Sequence, residues 1–173
     1  LEPTLLKDIN EHPRDKSIRF IERGHKYLVN NEDTKYTSVT TLIHQAFEKF
    51  NADLIINRMM KSANWPNSPY FGMTKAEIKK QWNNNGSEAA KLGTKMHSLF
   101  EDYYNQVNQD NVDKETLEYK YFNNFIQDNV GLVPYRTEMY VYDEDLKIAG
   151  AIDMLYINDD GTLSIYDWKR CKN

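Results

Sequence analysis

A short segment near the end of the chain, Asn158-Asp159-Asp160-Gly161, constrains the fold more than any other. It stands between two runs rich in β-branched, aromatic and aliphatic residues, 146–157 and 162–169, so it reads as the turn of a hairpin. Asn and Asp favour a type I turn, and Gly161 takes the left-handed position that closes it with a one-residue bulge. With that turn Asn158 faces Thr162, which sets Asp153 opposite Asp167 and Ala151 opposite Lys169. Side chains alternate between faces, so these four share one face with Leu155, Ile157, Leu163 and Ile165 nearer the turn. A two-residue turn without the bulge would slip the register by one and send Asp167 to the opposite face.

The preceding strand, 135–142, brings a third acid. If residues 143–146 form a four-residue loop, Tyr142 pairs with Lys147, and Glu138 lands opposite Ala151 on the same face. Carboxylates gathered on a half-apolar face repel one another and are costly to desolvate unless paired or metal-bound. Three acids and a lysine placed this way point to an oxygen-liganded divalent ion, Mg²⁺ or Mn²⁺. The alternative is a set of surface salt bridges.

Upstream, two short strands are expected at Ile18–Ile21 and Lys26–Val29, turning at Arg23-Gly24. Thr37 or Ser38 caps a helix carrying Val39, Leu42, Ile43, Ala46 and Phe47 at helical spacing, and a second helix covers Ala52–Lys61. Thr74 with Glu77 forms a capping box opening a short helix, which the Asn83-Asn84-Asn85-Gly86 run is expected to stop. Ser87 then starts the longest helix, to about Asn105, and another runs from about Asp113 to Asn129, closed by Gly131 and Pro134. Helices first and a β meander last make an α+β chain, with a mixed sheet and flanking helices around one core.

On the longest helix, Ala90, Gly93, Thr94, His97, Glu101 and Tyr104 fall on one stripe, beside an apolar stripe of Ala89, Met96, Phe100, Tyr103 and Val107. Gly93 weakens a helix, so a close approach is expected there. Set beside the acidic hairpin, His97 is a candidate metal ligand, with Glu101 one turn on to orient the imidazole or hold a water; a surface His–Glu pair is the alternative.

Composition narrows the class. With 40% apolar and 13% aromatic residues in 173, the chain can bury a core and is not a solvating tail. No apolar run approaches the ~20 residues of a membrane span. The single cysteine, Cys171, excludes a disulfide framework and a cysteine-based zinc site, and favours an intracellular rather than secreted setting. Net charge is −4, so any polyanion must be met by a local basic patch.

Taken in order, Gly93-Thr94-Lys95-Met96-His97 with Glu101, then Glu138, Gly150-Ala151-Ile152-Asp153 and Asp167-Trp168-Lys169 resemble the motifs of the PD-(D/E)xK nuclease superfamily. The likeness is to its RecB-like exonuclease branch, which includes mitochondrial genome-maintenance and CRISPR-adaptation nucleases, while the Ser17–Trp82 region resembles N-terminal segments of phage and large-DNA-virus nucleases; the motif match is the stronger of the two. It spans about Gly93 to Lys169. The resemblance implies a restriction-endonuclease-like core and metal-dependent DNA hydrolysis, exonucleolytic, with one or two Mg²⁺ or Mn²⁺ ions, in DNA repair or recombination in a cytoplasm, nucleus or viral factory. It makes Asp153 the metal-bridging carboxylate and Asp167 the second acidic ligand, with the Trp168 carbonyl completing the coordination. It makes His97 a further ligand, Lys169 the group that orients the attacking water, and Glu138 the acid on the strand before.

That branch continues past its D-x-K strand into a Gln-x-x-x-Tyr helix, so a further segment or a partner chain is expected to complete the site. The expected layout is one domain, 1–173, with a substrate-side region at 1–86 and a catalytic core at 87–173. Candidate nucleic-acid contacts are Thr94, Lys95, Lys91 and Arg170, with Lys172 and the Lys75, Lys79, Lys80 cluster. Trp65, Tyr70, Phe71 and Trp82 either stack bases or close a minor core. His12, His25 and His44 read as structural. The substrate expected is single-stranded DNA or duplex DNA with an end. Two other readings are an RNA endonuclease of the cap-snatching type and an inactive, nuclease-like binding or assembly module.

Overall fold

Strand β5 (Ile148–Ile157) organises the sheet, and the computed structural model describes residues 4–171 around it. Strand β4 (Val133–Asp143) runs antiparallel along its whole length. The other edge of β5 is shared by two short strands at opposite ends. Strand β3 (Thr37–Ser38) pairs in parallel with Ile148 and Ala149, and β6 (Leu163–Tyr166) pairs antiparallel with Met154 to Ile157. The sheet is therefore mixed, and the architecture is α+β. Among the described residues no strand pairs with the edge of β5 from Gly150 to Asp153, between β3 and β6. A Cβ added at Gly150 would lie 2.9 Å from Val39 Cγ2, so glycine lets the next helix begin against the sheet.

The hairpin register is the one Gly161 dictates. Gly161 has φ +81°, its N–H donates to the Asn158 carbonyl, and Asn158 N–H donates to Thr162 O at 2.9 Å. Leu155 faces Ile165 and Met154 faces Tyr166. Pairing stops there: Asp167, Trp168 and Lys169 leave the strand, so Asp153 and Asp167 are not a ladder pair. The β4–β5 loop differs from the expected one. It comprises residues 144–147, with Lys147 left-handed at φ 52° and Asp143 Oδ1 accepting from the N–H groups of Asp145 and Leu146. Moving the loop one residue shifts the register by two, placing Tyr140 opposite Ala151. An even shift preserves the faces, so Glu138 now stands across from Asp153 rather than Ala151.

Strands β1 (Ile18–Ile21) and β2 (Lys26–Val29) form a separate hairpin as expected. Ile18 and Val29 of this hairpin are buried against Ala149, with Tyr27, Tyr36, Tyr140 and Tyr142 around them. Helix α1 (Leu6–Ile9) and a 3-10 turn, Pro13–Ser17, precede it. His12 caps that turn, accepting from Arg14 N–H at Nδ1, which is the structural use expected of it. Helix α2 (Val39–Gln45) is capped by Ser38, and α3 (Ala52–Lys61) by Asn51.

Helix α4 corrects the expected break at Asn83–Gly86. It is one helix, Lys75–Asn105, of 31 residues, and the 86/87 boundary falls inside it. Three asparagines and a glycine cost about 0.5–1 kcal/mol each in helix propensity. That is less than the combined effect of a new nucleus and the burial at both ends. Ile78 is fully buried near one end, where α4 meets α3 and its buried Ile56, and Met96 and Phe100 are buried near the other. Helix α5 (Leu117–Asp128) starts four residues later than expected. Asp113 accepts from the Glu115 N–H in a turn, and Thr116 is the cap. Pro134 lies inside β4, at its register shift, because β4 pairs only with β5 among the described residues and its outer edge needs no N–H. Among the described residues no helix is long and apolar enough to cross a membrane.

Candidate metal centre

Packing fixes the rotation of α4. Phe100 stacks on Phe122 of α5 with centroids 4.0 Å apart, and Met96 is buried in the same cluster. His97, one residue round from Met96, is thereby turned toward β4 and β5. Trp168 locks the opposite side. Its indole packs edge-on against Phe100, Phe122 and Phe125, which holds the chain beyond β6 in place. Its backbone then reaches two site residues at once. The Trp168 N–H donates to Asp153 Oδ2 at 2.7 Å, and the Trp168 carbonyl lies 3.0 Å from His97 Nε2. The carbonyl can only accept, so Nε2 carries a proton and Nδ1 is the atom left facing the carboxylates.

His97 Nδ1 lies 3.4 Å from Glu138 Oε1 and 3.7 Å from Asp153 Oδ2. One donor atom from each of the three lies within 4.8 Å of the others. For metal–ligand distances of about 2.0–2.1 Å, cis ligands of an octahedral ion stand about 3 Å apart and trans ligands about 4 Å. With His97 Nδ1 at 3.4 and 3.7 Å from the two carboxylates, these two oxygens and one imidazole nitrogen are a donor set that could hold a single Mg²⁺- or Mn²⁺-class ion. Glu138 reaches the cluster through a left-handed backbone, φ 44°, within β4. A non-glycine residue there stores strain of order 1–3 kcal/mol, and such strain gathers at functional sites.

The electrostatics are those of carboxylates crowded together at partial burial. Burial pushes the Asp153 carboxyl up, and the charges of Asp167 and Glu138 add to this. The Trp168 N–H and His97 pull it down without prevailing. His97 is raised above its ordinary value of 6.5, mainly by its contact with Glu138, against the opposing effect of burial. A proton would thus compete with a metal ion at His97 from a higher pH than at a free imidazole. Mn²⁺ affinity should fall about tenfold per pH unit below the folded pKa of His97, measured by calorimetry between about pH 5.5 and 8.5. Affinity independent of pH across that range would remove His97 from the ligand set.

The other expected site residues are not among the three whose donor atoms converge. Asp167 is exposed and paired with Lys169, Oδ2 to Nζ 2.8 Å. That hydrogen bond raises the Lys169 pKa first, with the charge of Asp153 adding to it. The Trp168 carbonyl, expected as a metal ligand, accepts from His97 instead. Glu101, expected to orient His97, has no hydrogen bond to it among the described residues. It lines a cavity of about 770 Å³ with Glu138 and Tyr140. Its carboxyl is raised by burial first and by Glu138 next. The Trp168 carbonyl does the orienting, a role no side-chain pattern reveals.

Thr94 donates to the Ala90 carbonyl at 3.1 Å, and Lys91 and Lys95 are exposed. Apart from its chain neighbours and the backbone of its own helix, no described atom lies within 4 Å of a Cβ built on Gly93, so the close approach expected there is not made by the described residues. Arg170 is tied to Glu118 at 2.6 Å and Lys79 to Asp53 at 2.8 Å. Lys172 lies outside the described residues. Trp65 packs on Phe71, and Tyr70 and Phe50 pack on Trp82, forming a minor aromatic cluster. Comparison with protein-family models, with curated proteins and with solved structures finds no match for this chain.

Proposed function

We propose that this chain is a metal-dependent nuclease hydrolysing phosphodiester bonds, acting on DNA from an end, in an intracellular setting. The observation that carries the reading is the convergence of His97 Nδ1, Glu138 and Asp153, with both His97 and Asp153 held by one residue's backbone. DNA and exonucleolytic action follow from the motif resemblance. In this reading His97, Glu138 and Asp153 hold a Mg²⁺ or Mn²⁺ ion, which supplies charge neutralisation on the phosphate and a hydroxide near neutral pH.

The chain's own groups do the positioning. Trp168 keeps Nδ1 of His97 free by accepting from Nε2, and it aims Asp153 with its N–H. Lys169 brings an ammonium within electrostatic reach of Asp153, where it stabilises negative charge on the scissile phosphate or orients water. Asp167 steadies that ammonium. An exposed pair of this kind is worth about 0–1 kcal/mol, so Asp167 can exchange Lys169 for a second ion at little cost.

One observation, Asp167 turned to Lys169 and away from the cluster, favours a second reading as a nuclease-like nucleic-acid-binding module. Calorimetric titration with Mn²⁺, paired with cleavage of end-labelled single-stranded DNA, duplex DNA and RNA, separates the two. Mn²⁺ binding with stepwise loss from a DNA end is the expected result, abolished by EDTA. Mn²⁺ binding without cleavage of any substrate would leave the binding module. No heat of Mn²⁺ binding would remove the metal centre altogether.

A further inference from the structure

A second concave surface opens on the β2 side of the N-terminal hairpin. It is a groove of about 890 Å³ between β2 and residues 33–45. Arg23, Lys26 and Lys35 line it against a single acid, Asp33, on a chain whose net charge is −4. All three cations are exposed, and none is in an ion pair among the described residues. Two half-buried tyrosines, Tyr27 and Tyr36, share the lining, and the exposed Lys147 ammonium sits 5.5 Å from the Tyr36 ring centroid. Unpaired cations interleaved with aromatic rings are what a flexible polyanion with free base faces binds.

The groove wall is linked to the candidate metal centre by an aromatic contact. The Tyr27 ring is 5.9 Å from that of Tyr140, and Tyr140 is two residues along β4 from Glu138. The acid cluster itself repels phosphate. A substrate strand therefore needs cationic purchase elsewhere, and this groove supplies it one aromatic step away.

We infer that the groove between β2 and residues 33–45 is the track along which a single-stranded polynucleotide is held and led to His97, Glu138 and Asp153, an inference that rests on the nuclease reading. The phosphates meet Arg23, Lys26 and Lys35, and unpaired bases lie against Tyr27 and Tyr36. Duplex is disfavoured because its bases have no free faces to offer the tyrosines.

The test is fluorescence anisotropy with a fluorescein-labelled oligothymidylate of about fifteen nucleotides, in EDTA so that no cleavage occurs. An oligouridylate of the same length, run alongside, separates DNA from RNA as the source of the strand. The variant carries Arg23→Gln, Lys26→Gln and Lys35→Gln together. Its affinity should fall at least about tenfold at low salt. The slope of log K against log salt should flatten by about two, since each phosphate contact on a single strand contributes about 0.7. An unchanged affinity and slope, or a wild-type protein that does not bind the oligonucleotide, would overturn the inference. Mn²⁺ calorimetry on the same two proteins keeps the readings apart: absence of metal binding in the wild type fails the metal centre, not the groove.

Discussion

Asp153→Asn should abolish Mn²⁺ binding and lower DNA cleavage by at least about 10³-fold, while leaving the protein folded. Asparagine is the informative substitution because Asp153 does two things. Its Oδ2 accepts the Trp168 N–H at 2.7 Å, and its charge serves the cluster with His97 and Glu138. The amide oxygen of asparagine can keep the first and loses the second. Alanine would also orphan the half-buried Trp168 N–H, a cost of about 1–3 kcal/mol that would confuse instability with lost chemistry.

Burial has already raised the folded-state pKa of Asp153. Its ionisation therefore disfavours the folded chain, and stability is lost as pH rises through that folded pKa. Removing the charge should not lower the melting temperature of the metal-free protein at neutral pH. Wild type should gain thermal stability on adding Mn²⁺, and the Asn variant should gain none. Asp167→Asn is the matched control: it lies outside the cluster and should weaken the first ion's affinity far less. Equal loss of metal binding in both variants would mean that Asp167 leaves Lys169 and joins the ligand set. Retention of Mn²⁺ binding in Asp153→Asn would sink the proposed site.

The parts of this site that the sequence made legible are those set by local rules. Gly161 selects a bulged turn, and the turn fixes the β5–β6 register residue by residue. The β4–β5 loop was one residue off because Asp143 can cap a turn from inside the strand and Lys147 takes a left-handed conformation that no glycine announces. The error cancelled in what matters, since an even shift keeps Glu138 in the row with Asp153.

What stayed hidden depended on tertiary packing. The continuity of α4 through Asn83–Gly86 is decided by burial at Ile78 and Met96, not by propensity in between. The role of Trp168 lies in its N–H and carbonyl, which every residue but proline has, so no side-chain motif reports it. The end of β6 at Tyr166 follows from the indole of Trp168 being drawn into the α4–α5 cluster, which takes Asp167 off the ladder.

The second large effect concerns stability, and it sits two residues from Glu138. Arg136 is a buried cation, its side chain only 6% exposed. Its Nη1 is held by Asp15 Oδ2 at 2.7 Å and by the Asn10 carbonyl at 2.9 Å. Its buried Nε has no partner among the described residues. This pair fastens the N-terminal turn to β4, beside the strained backbone of Glu138. Asp15→Ala removes the one carboxylate paired with this largely buried cation among the described residues, and breaking such a pair costs about 3 kcal/mol or more. For a chain of this length that corresponds to a fall of roughly 6–12 °C in melting temperature.

Arg136→Met should cost much less. The methionine fills the same space without charge, and the Asp15 it leaves behind is 23% exposed and can be hydrated. The double variant should melt close to Arg136→Met alone, because the damage in Asp15→Ala is the stranded charge. Burial pushes the Asp15 carboxyl up, but Arg136 and the His12 N–H more than offset this and leave it below 3.8. The pair's contribution is thus complete above that value and is lost only as pH falls through the lower, folded pKa. Asp15→Ala should therefore lower the melting temperature at neutral pH, and the gap from wild type should narrow in strong acid. A variant melting within about 2 °C of wild type at neutral pH would mean that Arg136 finds another partner and that β4 is held beside Glu138 by packing alone.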